Sequence, residues 1–497
     1  MLDIEIIDII KALQTAKAEI NDIEAKAAKQ GCPKRLYDTI SAFSNKSGGV
    51  IIFGVDEENG YEVCGVYDAA DLQKKVVEQC NQMIPVVRPV FSTFISNGKI
   101  VITVEIPEAP IQDKPVYYSG AGIQKGSYIR VGDADIRMTD NEIYSLMAFK
   151  NNIHDELRLV KRAEMLDLDM GKVEECVKIQ TRKKPNFAKL GMDRMLQDLG
   201  IIASDDNGVL KPTVAGLLCF GIYPQSFFPQ WMVTCIAVPG FEIGGIGGLG
   251  ERLIDNKKIE GTIPEMIEGC ISFVLKNMSV KTIISGKTGK REDKTEYPVK
   301  AIREGVLNAL IHRDYSIHSE GVYVQIRMYK DRIEIQNPGG LFGRISIDLL
   351  GKKKNYDARN PNIIRILEDM EIVENRGSGI PTMIDEMHHH GLKAPVFDDI
   401  RGGFLVTFCR DSEQDYPQVN QQDNPQVNQQ DEMKMKILEF CAVHRTRKEI
   451  AEFVGIKDIR YLKEAYLSKL LEQDLIRMTI PDKPTSRNQK YVAVNRN

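Results

Sequence analysis

The sequence predicts a multidomain α+β protein, and three observations carry that expectation. The chain has 497 residues, several times the roughly 100–200 residues of an ordinary domain. Helical and strand-like patterns are mixed within each long block. A polar eight-residue unit occurs twice over residues 416–431, as YPQVNQQD and NPQVNQQD, and marks a linker. Hydrophobic residues make up 42% and charged residues 27%, the composition of a globular chain with enough length to bury several cores. No apolar run reaches the ~20 residues of a membrane span. The first residues, MLDIEIIDIIKAL, carry acids where a secretory signal has a basic stretch. Nine cysteines, an odd number without a C-x-x-C pair, are expected as buried reduced thiols in a cytoplasmic protein.

The elements follow in order. Residues 1–148 open with an acidic helix, then EINDIEAK, the helix KRLYDTISAFSNKSGG and the strand VIIFGVD. The strands VFSTFIS and IVITVEIP follow, then a basic stretch, IQKGSYIRVG. Residues 149–240 form a connecting unit. It holds charged helices, a small helix-plus-hairpin piece around TVAGLLCFG, and the strand MVTCIAVPG, beside which Trp231 is expected to anchor the core. Residues 241–412 give a helical pair, the strands of VYVQIRMYKDRIEIQNPGG, a helix and a last strand, GFLVTFCR: a layered α/β sandwich. Residues 413–431 are too polar to build a core and form the linker. In residues 432–497, DEMKMKILEFCAVH is an amphipathic helix, and Thr446 caps a second, RKEIAEFVG, stopped at Gly455. A third helix over 458–473 precedes two strands around a polar turn. Helix, helix, helix, hairpin is the order of a winged helix. From Val443 onward there are 12 Lys/Arg and 7 Asp/Glu, whereas the whole chain has a net charge of −4.

The segment REGVLNALIHRDY, residues 303–315, places Glu304 and Asn308 on one helix face. An amide oxygen can coordinate Mg²⁺ together with substrate phosphates, and an adjacent carboxylate can orient or deprotonate a water. Such a pair is also what an ordinary solvated helix face shows. Two glycine clusters strengthen the chemical reading. A strand ends in Asn337, Pro338, Gly339 and Gly340, and Arg376, Gly377 and Gly379 stand just before a helix. Glycine lets a ligand approach the backbone, and helix N-termini offer free N–H groups to phosphate.

E-x-x-x-N, a strand ending N-P-G-G, and R-G-S-G-I at a helix start together resemble the GHKL ATP-binding superfamily of gyrase, histidine kinases and MutL. More closely, ALIHRDYS, IEIQNPGGL, NPNIIRILEDMEIVENRGSGI and TVAGLLCFG look like bacterial transcriptional regulators often labelled RecG-like. The resemblance implies ATP and Mg²⁺ as ligands, with Glu304 as the acid, Asn308 on Mg²⁺ and Asn337 on adenine. Gly339 and Gly340 follow Asn337, and Gly377 and Gly379 form the second glycine box. The superfamily usually has Asp where this chain has Asn337. Helicase activity is not implied, because no P-loop exists: in SGKTGK, residues 285–290, the first glycine of the motif is replaced by Lys281. GGIGGLG, residues 244–250, is expected to be a loop.

EINDIEAK followed by SAFSNKSGGVIIFGVDE resembles the Schlafen/Alba-type domain, with Ala25 where the family has Phe. Glu19, Glu24 and Asp56 have the spacing implied for a three-carboxylate, metal-dependent nuclease site. Lys26, Lys125, Tyr128 and Arg130 suit a patch contacting a nucleic-acid backbone. In the winged helix, Arg460, Lys463 and Lys469 would enter a groove, with Lys483, Arg487 and Lys490 on the wing. His388, His389 and His390 read as a polar helix end. The expected protein is a cytoplasmic, ATP-binding, nucleic-acid-binding regulator without a membrane segment, acting on DNA or RNA and forming a homo-oligomer such as a dimer. The alternatives are a Schlafen-type RNA endonuclease and a scaffold with a decayed ATP site.

Overall fold

The structure, a computed structural model, describes residues 1, 3–19, 22–245, 250–284, 291–352, 357–373 and 377–410. Beyond these it describes 437, 440–441, 445–454, 462, 466–467, 470–471, 476–479 and 489–493. The chain divides into two compact units, Met1–Asp415 and Tyr416–Asn497. The mixed α+β class is as expected.

At the N-terminus a four-stranded sheet runs in the order Ile23–Lys26, Gly49–Phe53, Lys99–Ile106, Val90–Ser96. The first pair is parallel and the other two are antiparallel. Strand alternation assigns the faces. Ala25, Ile52 and Val101 cluster with Ile6, Ile10 and Leu13, the apolar stripe of the helix Asp3–Ala16. Ile51, Phe53, Ile102 and Val104 cluster with residues of the helices Tyr37–Asn45 and Ala69–Cys80. The sheet is therefore covered on both faces.

A second core runs without interruption from Val160 to Phe408. Its sheet has six strands in the order Asp255–Ile259, Val233–Ala237, Val324–Met328, Arg332–Pro338, Gly403–Cys409, Val396–Ile400. Val233–Ala237, from the stretch expected to be a connector, is an inner strand lying parallel to Val324–Met328. Trp231 just before it is 1% exposed and stacks on Phe228 with ring centroids 3.7 Å apart. The helix Val299–Ile311 lies on this sheet. A Cβ added at Gly305 would sit 3.0 Å from both Ile335 and Phe408, so the absence of a side chain there sets the close helix–sheet approach.

In the C-terminal unit, Arg445–Thr446, Lys490–Ala493 and Ile476–Met478 form a three-stranded sheet in that order. Thr446 caps the helix Arg447–Val454 through a reciprocal pair with Glu449, whose N–H reaches Thr446 Oγ1 at 3.3 Å. Ile437, Cys441, Ile450, Leu462, Leu470, Ile476 and Tyr491 form its core. Among the described residues no helix is long and apolar enough to cross a membrane.

Candidate functional site

A cavity lies against the six-stranded sheet, and the helix Val299–Ile311 supplies one wall. Asn308, His312, Asn337, Gly339, Gly340, Phe342, Arg359, Gly377 and Gly379 all line it. The two predicted motifs meet there. The helix Gly379–His389 begins so close to Glu304 and Asn308 that a Cβ at Gly379 would lie 3.1 Å from Glu304 Oε2 and from Asn308 Nδ2. Gly377 has φ +60°, in the left-handed region that favours glycine. Asn308 Nδ2 is buried without a hydrogen-bond partner, an arrangement that a native core usually avoids.

The other end of the cavity is built around the end of the strand Arg332–Pro338. Asn337 is 5% exposed, and its Nδ2 donates to the Pro338 and Gly339 carbonyls at 3.3 and 3.5 Å. Gly339, with φ +89°, leaves no room for a side chain, since a Cβ there would lie 2.7 Å from Asp314 Cβ. The Asp314 N–H donates to the Pro338 carbonyl at 2.9 Å and ties the turn to the Glu304 helix segment. Burial raises the Asp314 carboxyl, but Arg359 and the bonds from Ser316 and Ser319 outweigh it and hold it below the usual carboxylate range. His312 is pushed down to about 4 by burial, with Arg359 adding to the effect, and so is neutral near pH 7.

Arg359 is the residue that motif reasoning missed. It is 8% exposed. One Nη donates to Ser145 Oγ at 3.3 Å and to the Gly340 carbonyl at 3.2 Å, while Nε has no partner. Asp314 Oδ1 stands 4.0 Å from its Nη1. Ser145 belongs to the helix Asp140–Lys150, and Phe149 of that helix packs edge-on against Phe342 in the cavity wall, with centroids 5.6 Å apart. The A-R-N-P run was the available signal, but a single arginine carries no spacing pattern. Arg376, the cation expected beside the glycine box, lies outside the described residues.

The N-terminal acids resolve differently. Glu19 and Glu24 converge on Arg130, at 2.8 Å each, and Asp135 joins them at 3.0 Å. Burial and the neighbouring Glu24 raise Glu19. Glu24 is raised by burial, but the hydrogen bond with Glu19 and the ion pair with Lys26 bring it below its ordinary value. Asp56 is not part of this group and instead pairs with Lys29 at 2.5 Å and Asn59 at 2.8 Å. Among the described residues no group of three or more His, Cys, Asp or Glu is placed to hold a metal ion. The structure thus does not bring Asp56 together with the two glutamates expected to share a nuclease site with it, and the Arg130 guanidinium pairs with Glu19 and Glu24.

Arg130, expected in a backbone-contacting patch, is 2% exposed and pairs with Glu19, Glu24 and Asp135. Lys26 is held by Glu24 at 2.5 Å, and Tyr128 is half-buried, with its N–H donating to Ser41 Oγ at 2.8 Å. Lys125 is exposed at the end of the short helix Ile123–Gly126. Lys490 begins a described strand, and its N–H donates to Thr479 Oγ1 at 3.1 Å. Arg460, Lys463, Lys469, Lys483 and Arg487 lie outside the described residues, as do 246–249 of the glycine-rich run and 285–290 of the basic loop. His388 and His389 end the helix Gly379–His389, and His390 caps it. The nine cysteines are all free.

Four family models match the chain. "Schlafen, AlbA_2" matches residues 19–139, and "Domain of unknown function (DUF8451)" matches 145–234. "Putative ATP-dependent DNA helicase recG C-terminal" matches 321–408. "Filamentation induced by cAMP protein Fic-like, C-terminal domain" matches 433–492, the segment expected to be a winged helix. No curated protein matches the chain. Among solved structures, the chain is similar to the N-terminal domain of a RecG-related protein from Nitrosomonas europaea, described as a "Putative ATP-dependent DNA Helicase". The identity is 31% over 27% of this chain and 92% of that one, with a TM-score of 0.22. It is also similar to the DIP2311 protein from Corynebacterium diphtheriae, at 16% identity over 98% and 96% of the two chains, with a TM-score of 0.39. At these scores neither superposition bears on the fold. The matched segments enclose both the Arg130 cluster and much of the cavity wall, and the chain belongs to the Schlafen/AlbA-type proteins that carry a RecG-like ATPase domain.

Proposed function

We propose that this protein is a nucleic-acid-binding regulator whose state is set by a nucleoside triphosphate, ATP being the ligand that the resemblance implies. The observation that carries the reading is the close approach of the Gly379 helix start to Glu304 and Asn308, where an added Cβ would lie 3.1 Å from both side chains, beside an amide left without a partner in a cavity wall. The residues fit a nucleotide. The helix start at Gly379 offers N–H groups to phosphate, and Asn308 Nδ2 is a ready donor. Asn308 Oδ1 would hold Mg²⁺, which would supply charge neutralisation at the phosphates, with phosphate oxygens and water completing its coordination. Glu304 would orient a water, which makes slow hydrolysis the expected activity.

Gating is supported by the contacts of Ser145 with Arg359 and of Phe149 with Phe342. Both join the helix after the Schlafen/AlbA-type block to residues lining the cavity. Nucleic-acid contact is assigned to the basic C-terminal tail, read as a winged helix, and to the exposed Lys125. DNA is the expected partner, and RNA is the alternative outcome. The same reading carries the cytoplasmic location and a homo-oligomer such as a dimer.

Thermal unfolding of the full chain tests the nucleotide. At 100 times Kd, ATP–Mg²⁺ should add about 2.7 kcal/mol of stability, and Asn308→Ala should abolish the gain while leaving the free protein near wild type. No stabilisation by any nucleoside triphosphate would refute the reading and favour a decayed site. In parallel, duplex binding should change with nucleotide and be lost when residues 432–497 are removed.

A further inference from the structure

We propose that the strand Val90–Ser96 is a self-recognition edge. Two copies of this chain pair through it, antiparallel and across a two-fold axis, into one eight-stranded sheet with four strands from each copy. The proposal rests on the homo-oligomer of the reading above, to which it gives a surface, and is independent of the nucleotide site.

The strand closes one side of the N-terminal sheet. Among the described residues its ladder partner is Lys99–Ile106, and residues 90–96 make no other backbone hydrogen bond. Its outward N–H and C=O groups are therefore open to a further strand. Proteins ordinarily blunt such an edge with charge, proline or a bulge. The other edges of the four- and six-stranded sheets follow that rule. Ile23–Lys26 carries Glu24 and Lys26, Asp255–Ile259 carries Asp255, Lys257 and Lys258, and Val396–Ile400 carries Asp398 and Asp399. Val90–Ser96 reads VFSTFIS, seven residues without a charge or a proline. Its register runs from Val90 opposite Glu105 to Ser96 opposite Lys99 without a bulge. Val90 and Ile95 are 57% and 66% exposed. The Met1 amino group reaches Ser92 Oγ at 3.0 Å, which is a side-chain contact and uses no backbone group of the edge.

A second copy is the occupant because the strand complements itself. Phe91 packs on the core of the helices Tyr37–Asn45 and Ala69–Cys80, and Phe94 on the core of the helix Asp3–Ala16. By alternation Phe91, Thr93 and Ile95 share the first face, and Val90, Ser92, Phe94 and Ser96 the second. Directly opposed residues of an antiparallel pair lie on the same side of the sheet. Both faces stay continuous only if each set meets the same set of the second copy. The register that does so with all seven residues is centred on Thr93. It sets Thr93 against the partner's Thr93, Phe91 against the partner's Ile95, and Val90 against the partner's Ser96. Aromatic–β-branched and Thr–Thr pairs are favourable cross-strand contacts, and Ile95, the most exposed residue of the strand, gains a ring beside it. The same patch serves both copies, so the assembly closes at two.

Sedimentation velocity of the full-length protein over a concentration series tests this. The wild type should be a dimer in the micromolar range. Thr93 is exposed, so Thr93→Lys leaves both cores intact and sets two ammonium groups face to face at the axis. The dimer Kd should rise about 10- to 100-fold, and Thr93→Asp should have the same effect. An equimolar mixture of the two variants should recover the wild-type dimer, because an ammonium then faces a carboxylate, and loss of folding cannot produce that recovery. A wild-type monomer throughout the series would overturn the proposal and the homo-oligomer together. A dimer whose Kd is unchanged in Thr93→Lys, or a mixture that stays monomeric, would overturn the edge and leave the homo-oligomer to another surface. Stabilisation by ATP–Mg²⁺, read separately, decides the nucleotide reading in every case.

Discussion

The Arg130 cluster and the Arg359 cavity each bury a guanidinium near carboxylates, but only the first is closed on itself. Arg130 has three carboxylates within 3.0 Å. Arg359 stands 4.0 Å from the Asp314 carboxylate and keeps an N–H without a partner. A buried charge whose partners are all supplied by the chain is part of the scaffold. One left short of partners beside a cavity is placed for a ligand. The same residue type therefore reads as structure in one region and as recognition in the other.

The largest expected effect tests that contrast directly. Arg130→Met strips the cation from Glu19, Glu24 and Asp135 and should cost about 3–5 kcal/mol in urea denaturation of the full chain, the usual result of orphaning buried charges. Arg359→Met, which breaks no close ion pair, should cost clearly less. The reverse order would invert the comparison.

A smaller effect should appear in the pH dependence. The ordinary histidine value is 6.5, and His312 in the folded protein is lowered to about 4. Between those values the unfolded chain binds a proton that the folded one does not, so stability declines as pH falls through that window. His312→Gln should flatten the difference between pH 7 and pH 5 by roughly 1–2 kcal/mol. An unchanged slope would show that His312 is not held neutral. Smallest is Gly379→Ala. Its Cβ would crowd Asn308 and Glu304 at 3.1 Å, so nucleotide affinity should weaken about fivefold. The stability of the free protein should stay within about 0.5 kcal/mol, because alanine suits a helix start.

Much of the local structure was legible. The stripe Ile6, Ile10, Leu13 follows helical spacing, and the alternation in VIIFGVD sorts Ile52 from Ile51 and Phe53. Glu304 and Asn308 are four residues apart, and helix geometry alone places them on one face. The glycine boxes were legible because backbone freedom is written in a single residue type. Tertiary partners were not. Arg130 meets Glu24 across 106 residues and Arg359 meets Ser145 across 214, and no periodicity reports such distances.

The sequence by itself determined the element types, the faces they bury and the residue types able to hold a nucleotide. These depend on local backbone geometry and on hydrophobic spacing, which act over a few residues. Only the tertiary structure decided that Asp56 stands apart from Glu19 and Glu24, that Arg130 neutralises them from inside, and that Arg359 enters the cavity wall. Electrostatic partnership depends on distance in space, and folding sets that distance between segments that share no pattern in the chain.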